Sequence, residues 1–240
     1  MTVAPYQNSE KNKKQQVEQM FDNIAHKYDF LNHFLSLGID NIWRKKAVRL
    51  LKKEEPKRIL DVATGTGDFA IAASKLDVDE IVGFDLSEKM IQVGEQKVKK
   101  LSLDQLIHFK KGDSEEMPFN DDSFDAITVA FGVRNFENLK NGLKEFLRVL
   151  KPGGSAVILE FSKPRHFPFK QLYRFYFFHI LPLIGGMVSK DASAYSYLPE
   201  SVMAFPDDQK FLDILSEVGF SKVSQNRLTM GIATIYIAQK

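Results

Sequence analysis

Residues 58–68 read Arg-Ile-Leu-Asp-Val-Ala-Thr-Gly-Thr-Gly-Asp, and Phe69-Ala70 follow. An apolar run ends on an acid, Asp61, and enters a turn with two glycines before a helical pattern begins. That is a strand, a tight turn and the start of a helix. The same alternation repeats downstream. Strands are expected at 57–62, 79–84, 106–111, 124–130 and 155–161, with helical patterns at 67–76, 87–100 and 137–150 between them. Such an order argues for an α/β fold, a parallel sheet with helices on both faces. Ser87 stands where an N-cap belongs, directly before Glu88. Pro152-Gly153-Gly154 stops the helix that ends Arg148-Val149-Leu150. The last two apolar runs, 220–228 and 231–238, have only a short connection, which demands an antiparallel pair.

On the N-terminal side, 1–16 reads as a flexible tail and 17–55 as a helical lid. Val17, Met20, Phe21, Ile24, Tyr28, Leu31, Phe34 and Leu35 recur at helical spacing. A second amphipathic stretch runs from Ile39 to Leu51 around Trp43, the only tryptophan. On the C-terminal side, 161–205 is an aromatic, proline-interrupted insert. One domain of 240 residues with 44% hydrophobic content can bury a single core.

Charge and cysteine content exclude several functions. With 33 basic and 31 acidic side chains, net charge is +2, so no nucleic-acid partner is expected. Cysteine is absent, which removes disulfides, thiolate metal sites and cysteine nucleophiles; no metal site is expected and the cytoplasm is the expected compartment. The polar N-terminus lacks an apolar signal core, and no run approaches the ~18 apolar residues of a membrane span.

The acids point to a ligand. In an open parallel sheet, ligands bind beyond the carboxyl ends of the strands, at the switch point. Asp61, Asp85 and Asp113 each end or follow a strand candidate and should converge there, with Asp68 just behind the turn. Gly65-Thr66-Gly67 with Ala70 in third place formally matches a dinucleotide fingerprint. A pyrophosphate, however, wants the helix N-terminus unopposed by acids. Asp85 lies 18 residues past Gly67, where a carboxylate accepts ribose hydroxyls. Asp113-Ser114 is placed to read an adenine edge. Gly65 and Gly67 let backbone approach the rest of the cofactor, and Asp61 is expected to oppose its positive charge. A cationic cofactor with an adenosine, such as S-adenosylmethionine, is better served here than a phosphate. For each aspartate alone, a helix cap is the competing reading.

ILDVATGTGD (59–68), GFDLSEKM (83–90), GDSEEMPFNDDSFD (112–125) and LRVLKPGG (147–154) together resemble the successive motifs of class I S-adenosylmethionine-dependent methyltransferases. The resemblance implies a Rossmann-like, seven-stranded, mostly parallel sheet with an antiparallel last strand. FDNIAHKYDFLNHFLSLGIDNIWR (21–44), FGVRNFENL (131–139), LEFSKP (159–164) and DASAYSYLPESVMAFP (191–206) resemble the quinone C-methyltransferases of menaquinone and ubiquinone biosynthesis, from Val17 to Lys240. That family's cofactor positions carry onto Thr66, Asp85, Asp113 and Ser114. Some relatives have a serine before the phenylalanine of FGVRN, where this chain has Ala130; the departure leans toward menaquinone alone. The implied substrate is a prenylated naphthoquinol, methylated on a ring carbon.

A hydroquinone ring carbon becomes nucleophilic when the neighbouring hydroxyl ionises, so the protein must position the ring, exclude water and favour the phenolate. Arg134, just past the fourth strand, is expected to stabilise that charge and Asn135 to orient the ring oxygen; a salt bridge is the other reading of Arg134. His26, Asp29 and Asn32, three apart on the lid, are candidates for proton transfer. His26 is the better acid–base by intrinsic pKa, yet an exposed polar role competes, and no base is singled out. The insert from Phe167 to Ile184, with Lys170 and Arg174, reads either as core or as a greasy surface for the prenyl tail, with transient peripheral membrane contact. Other classes left open are a ubiquinone-precursor or other phenol acceptor, an NAD-dependent oxidoreductase, and a non-catalytic binding protein.

Overall fold

Seven strands form: β1 Arg58–Val62, β2 Glu80–Asp85, β3 Ile107–Lys111, β4 Phe124–Ala130, β5 Leu150–Phe161, β6 Lys222–Leu228 and β7 Ala233–Gln239. In this computed structural model, which describes residues 3–6, 9–36, 38–180 and 193–240, they make one sheet ordered β3-β2-β1-β4-β5-β7-β6. β1 to β5 pair in parallel, and β7 inserts antiparallel between β5 and β6. The central strands are nearly continuous apolar runs because both faces are covered.

Between the strands run α3 (Asp68–Ala73), α4 (Glu88–Lys100) and α5 (Leu139–Val149). Ser87 caps α4 by accepting the Met90 N–H, and Asn138 caps α5 by accepting the Asn141 N–H. One face of the sheet buries Phe84, Phe124, Phe146, Phe211 and Tyr236. The other buries Ile59, Val157 and Ile235 against Trp43 and Leu51 of the second N-terminal helix.

The helical preface is α1 (Lys13–Leu35) and α2 (Ile39–Leu51), parted at Gly38, whose φ of 73° is left-handed. α1 starts inside the stretch read as tail, because the Asn12 side chain accepts the Gln15 N–H and caps it. β5 begins at Leu150 rather than 155. Phe124 pairs with Leu150 and Ala126 with Ser155, so Lys151–Gly154 is looped out as a bulge around Gly153, at φ 81°. α3 stops at Ala73, shorter than its pattern.

Within the insert, α6 (Phe169–Phe175) runs on into a wider π turn, Tyr176–Ile180. Leu181, Pro182, Leu183 and Ile184 of the expected greasy run lie outside the described residues, as does the side chain of Asn32. Helices Ser193–Ala204 and Gln209–Val218 lead into β6, and a 3-10 turn, Thr229–Gly231, joins β6 to β7.

Candidate active site

The strand order reverses between β1 and β4, and the carboxyl ends of those strands open into a cleft, where open parallel sheets bind their ligands. The glycine turn forms its near wall. Gly65 and Gly67 have φ of 56° and 83°, which a side chain would resist. A Cβ on Gly67 would also stand 2.9 Å from the Phe109 ring, so the turn seats directly on β3's aromatic.

Asp61 lies behind this turn. Its Oδ1 accepts the Thr128 hydroxyl at 2.7 Å, and its Oδ2 accepts the Thr64 hydroxyl at 2.5 Å and the Ala70 N–H at 3.2 Å. Burial pushes its pKa up to about 6 against those stabilising donors. The sequence reading put Asp61 against the cofactor's charge; the structure buries it under the turn, where it fixes the turn's shape and does not line the cleft.

Asp85, the last residue of β2, faces the cleft. Its Oδ2 accepts the Gly65 N–H and its Oδ1 the Ser87 N–H, both at 2.8 Å. Burial raises its pKa while the backbone donors lower it. The Leu86 N–H also stabilises the carboxylate, which keeps acceptor capacity for a ligand hydroxyl. Asp113 and Ser114 follow β3 on the same wall; Asp113 accepts the Glu115 N–H at 2.9 Å and ion-pairs with Lys14.

α1 crosses above these strand ends and is tied at each. Lys14 meets Asp113, Glu18 meets Lys111 at 2.9 Å, and Asp22 accepts the Ser87 hydroxyl at 2.6 Å. Lys13 donates to the carbonyls of Phe136, at 2.7 Å, and Arg134, at 3.2 Å, and desolvation lowers its pKa. Asp29 accepts from Thr66 and ion-pairs with Lys97 at 2.7 Å; Lys97 also bridges to Asp68. Asp29 and Thr66 therefore clamp α1 to the glycine turn and α4, and neither lines the cleft. His26 is exposed on α1, away from it.

Just past the ends of β1 and β4 the backbone is strained. Ala63 and Phe131, neither a glycine, have φ of 49° and 58°, and both line the cleft. Asn135, in the short 3-10 turn Val133–Asn135, lines it too. Its Nδ2 donates to the Phe131 carbonyl at 3.3 Å and its Oδ1 accepts the Tyr197 hydroxyl at 3.1 Å. Arg134, expected at the cleft edge, turns away from it. Its guanidinium pairs with Glu160 at 2.8 Å, stacks over Phe161, and keeps Nε buried with no partner. Glu160 is fully buried; desolvation raises its pKa and Arg134 opposes the rise. The competing salt-bridge reading of Arg134 thus describes the side chain, in the interior rather than at the surface.

Of the sequence candidates, Gly65, Asp85, Asp113, Ser114 and Asn135 meet in one cleft, while Asp61, Thr66, Gly67, Arg134, His26 and Asp29 do not line it. Sequence reading missed Ala63, Phe131, and Val17, Phe21 and Tyr28 of α1, which also line it. The apolar periodicity of α1 marked the last three as core. From Phe131 a column of rings leads outward: Phe131 to Phe161 at 4.4 Å, Phe161 to Phe177 at 5.9 Å, and Phe177 to Tyr173 at 4.2 Å.

The profile of the ubiE/COQ5 methyltransferase family matches residues 9–240. A demethylmenaquinone methyltransferase of Bacteroides fragilis is 53% identical over 239 residues, covering 99% of this chain and 97% of the relative. A ubiquinone/menaquinone biosynthesis C-methyltransferase of Geotalea daltonii is 51% identical over 230 residues, covering 95% and 97%. Among solved structures, an S-adenosylmethionine-dependent methyltransferase of Thermotoga maritima aligns with a TM-score of 0.65 at 18% identity over 92% of this chain and 99% of that one. One of Methanococcus maripaludis aligns at 0.60 and 20% identity over 98% and 96%. At such identities the likeness shows the fold alone.

Proposed function

The chain belongs to the ubiE/COQ5 methyltransferase family, and from that premise we propose that it transfers the methyl group of S-adenosylmethionine to a ring carbon of demethylmenaquinol, giving menaquinol. One observation carries the cofactor assignment. Among the described side chains, Glu18, Asp85, Asp113, Glu115 and Glu137 line the cleft against a single cation, Lys14. Two of the turn's N–H groups are also committed, Gly65 to Asp85 and Gly67 to the Thr64 carbonyl at 2.9 Å. That wall repels a pyrophosphate and suits a sulfonium, which argues against a nicotinamide dinucleotide.

When bound, S-adenosylmethionine supplies an electrophilic methyl. Asp85 would hold the ribose hydroxyls and Asp113 with Ser114 the adenine edge. The amide N–H of Asn135 would donate to the quinol oxygen, favouring its ionised form. Arg134 acts on that oxygen only through space, from behind the Val133–Asn135 turn. With the cofactor bound, its methyl would pass to the ring carbon beside the ionised hydroxyl, the sulfur leaving as a neutral thioether and that carbon's own hydrogen being lost as a proton. α1 closes the cleft to water. His26 and Asp29 have no part in this scheme, because one is exposed and the other is ion-paired to Lys97.

Among the described residues no helix is long and apolar enough to cross a membrane. In this reading the enzyme works in the cytoplasm and meets its prenylated substrate by transient peripheral contact. The test is anaerobic methylation of reduced and oxidised demethylmenaquinone beside the benzoquinol precursor of ubiquinone. Turnover of the reduced naphthoquinol alone is expected. Equal turnover of the oxidised quinone would overturn the phenolate scheme.

A further inference from the structure

Five of the eight large exposed apolar side chains among the described residues fall between 167 and 178: Phe167, Phe169, Leu172, Phe175 and Phe178. Phe167 is 81% exposed, Leu172 61% and Phe175 57%. Leu172, Phe175 and Phe178 are spaced three apart, so they form one ridge along α6 and its π turn. α6 and its π turn touch the body on the opposite side through Tyr173 and Phe177, which are buried with Val202. A helix seated on one narrow stripe, with Phe167, Leu172 and Phe175 each more than half exposed, is not ordinary core, and such a cluster marks a docking face.

The charge around the ridge decides the occupant. No acidic residue occurs from Phe161 to Ile180. Lys163 and Arg165 are spent on Asp207 and Asp208, but Lys170 and Arg174 are exposed and have no ion pair among the described residues. Phenylalanine and leucine flanked by free lysine and arginine suit the boundary between headgroups and acyl chains. A second copy of the chain would bring like charges together.

We propose that the outer face of α6, with Phe167, Leu172, Phe175 and Phe178 inserted and Lys170 and Arg174 on phosphates, docks this protein on an anionic lipid bilayer. This deepens the quinol-methyltransferase reading and rests on it. The ring column Phe177–Phe161–Phe131 behind α6 joins the docked face to the cleft. A prenyl tail leaving the bilayer would find apolar contacts along that line.

Two assays on the full chain separate this inference from that reading. The first is co-sedimentation with phosphatidylcholine vesicles, alone or with roughly a third phosphatidylglycerol. The parent is expected on the anionic vesicles and not on the neutral ones. K170E/R174E is expected to bind at least about tenfold more weakly, and L172S/F175S should lose binding too. The second assay follows methylation of a tail-less demethylmenaquinol analogue in solution, which should proceed equally in parent and variants. Turnover of long-tailed quinol in vesicles should fall with binding. Failure of the parent to turn over the soluble quinol sinks the enzymatic reading. Normal turnover with no vesicle binding, or with binding indifferent to both variants, overturns the docking surface. So does a parent dimer that L172S/F175S dissociates, since the face would then belong to a second copy.

Discussion

The Tyr197 hydroxyl donates to Oδ1 of Asn135 across 62 residues of sequence, at 3.1 Å. With its oxygen taken by Tyr197 and one N–H near the Phe131 carbonyl, the amide of Asn135, which lines the cleft, has one N–H left to donate. Burial pushes the Tyr197 pKa up to about 12, so it stays a donor across the working pH range. In the proposed scheme the insert thus sets which end of Asn135 the substrate would meet.

Removing that hydroxyl should be felt at the chemical step. Tyr197→Phe frees the amide to flip and present an acceptor, which repels a phenolate. We expect kcat to fall by about tenfold or more, the acid limb of the kcat–pH profile to move to higher pH, and cofactor affinity to stay unchanged. In Tyr197→Phe/Asn135→Ala the two losses should not add. A shifted Tm with an unmoved pH profile would reduce Tyr197 to packing.

Asp85 has two duties at once. It braces the turn through Gly65 and Ser87 and, in the proposed scheme, also accepts from a ligand. Asp85→Ala should weaken S-adenosylmethionine binding by roughly 1.5–3 kcal/mol, about tenfold to a hundredfold, read by calorimetry. Binding as tight as the parent's, with the fold intact, would remove Asp85 from the ribose site.

Asp61 makes stability depend on pH in an unusual direction. Its carboxyl has a pKa of about 6 in the fold against an ordinary value of 3.8. The folded chain holds the proton more tightly than the unfolded one, so the stabilisation is complete below about pH 4 and is lost as pH rises through about 6. An Asp61→Asn variant cannot ionise. Between those pH values it should gain on the parent by on the order of 2–3 kcal/mol in parallel urea titrations. A difference that stays flat with pH refutes the raised pKa.

The fold and the cofactor wall were legible in the sequence for a local reason. Asp85 and Asp113 sit where an apolar run stops, and Gly65 and Gly67 mark the turn, so each could be placed from its neighbours alone. Arg134 could also be placed on the chain, but not aimed. Its direction depends on Glu160, 26 residues later, an acid in the interior of β5 that reads as an ordinary strand position. Tyr197 and Asn135 likewise meet only because the insert folds back onto the β4 turn. Left-handed backbone at Ala63 and Phe131 carries no glycine to announce it. Asp61 shows the reverse error: its place at a strand end was read correctly, but Thr64 and Thr128 claim it for the interior.

Arg134 and Glu160 form a pair whose side chains are 8% and 0% exposed, so breaking it costs more than the pair itself contributes. Arg134→Ala leaves a buried carboxylate with only the N–H groups of Phe161, at 2.8 Å, and residue 134, at 3.4 Å. We expect a loss of about 3–5 kcal/mol of stability, largest near neutral pH and smaller in acid, where Glu160 takes up a proton. Glu160→Gln in the same chain removes the stranded charge, so Arg134→Met/Glu160→Gln should recover most of the melting temperature. Turnover then becomes interpretable. If Arg134 stabilises the quinolate through space, the refolded double variant should still lose kcat by about tenfold or more, with S-adenosylmethionine affinity intact. If Arg134 serves only the fold, the double variant should turn over normally. A double variant as unstable as Arg134→Ala alone would show that the buried charge is not what destabilises the single one.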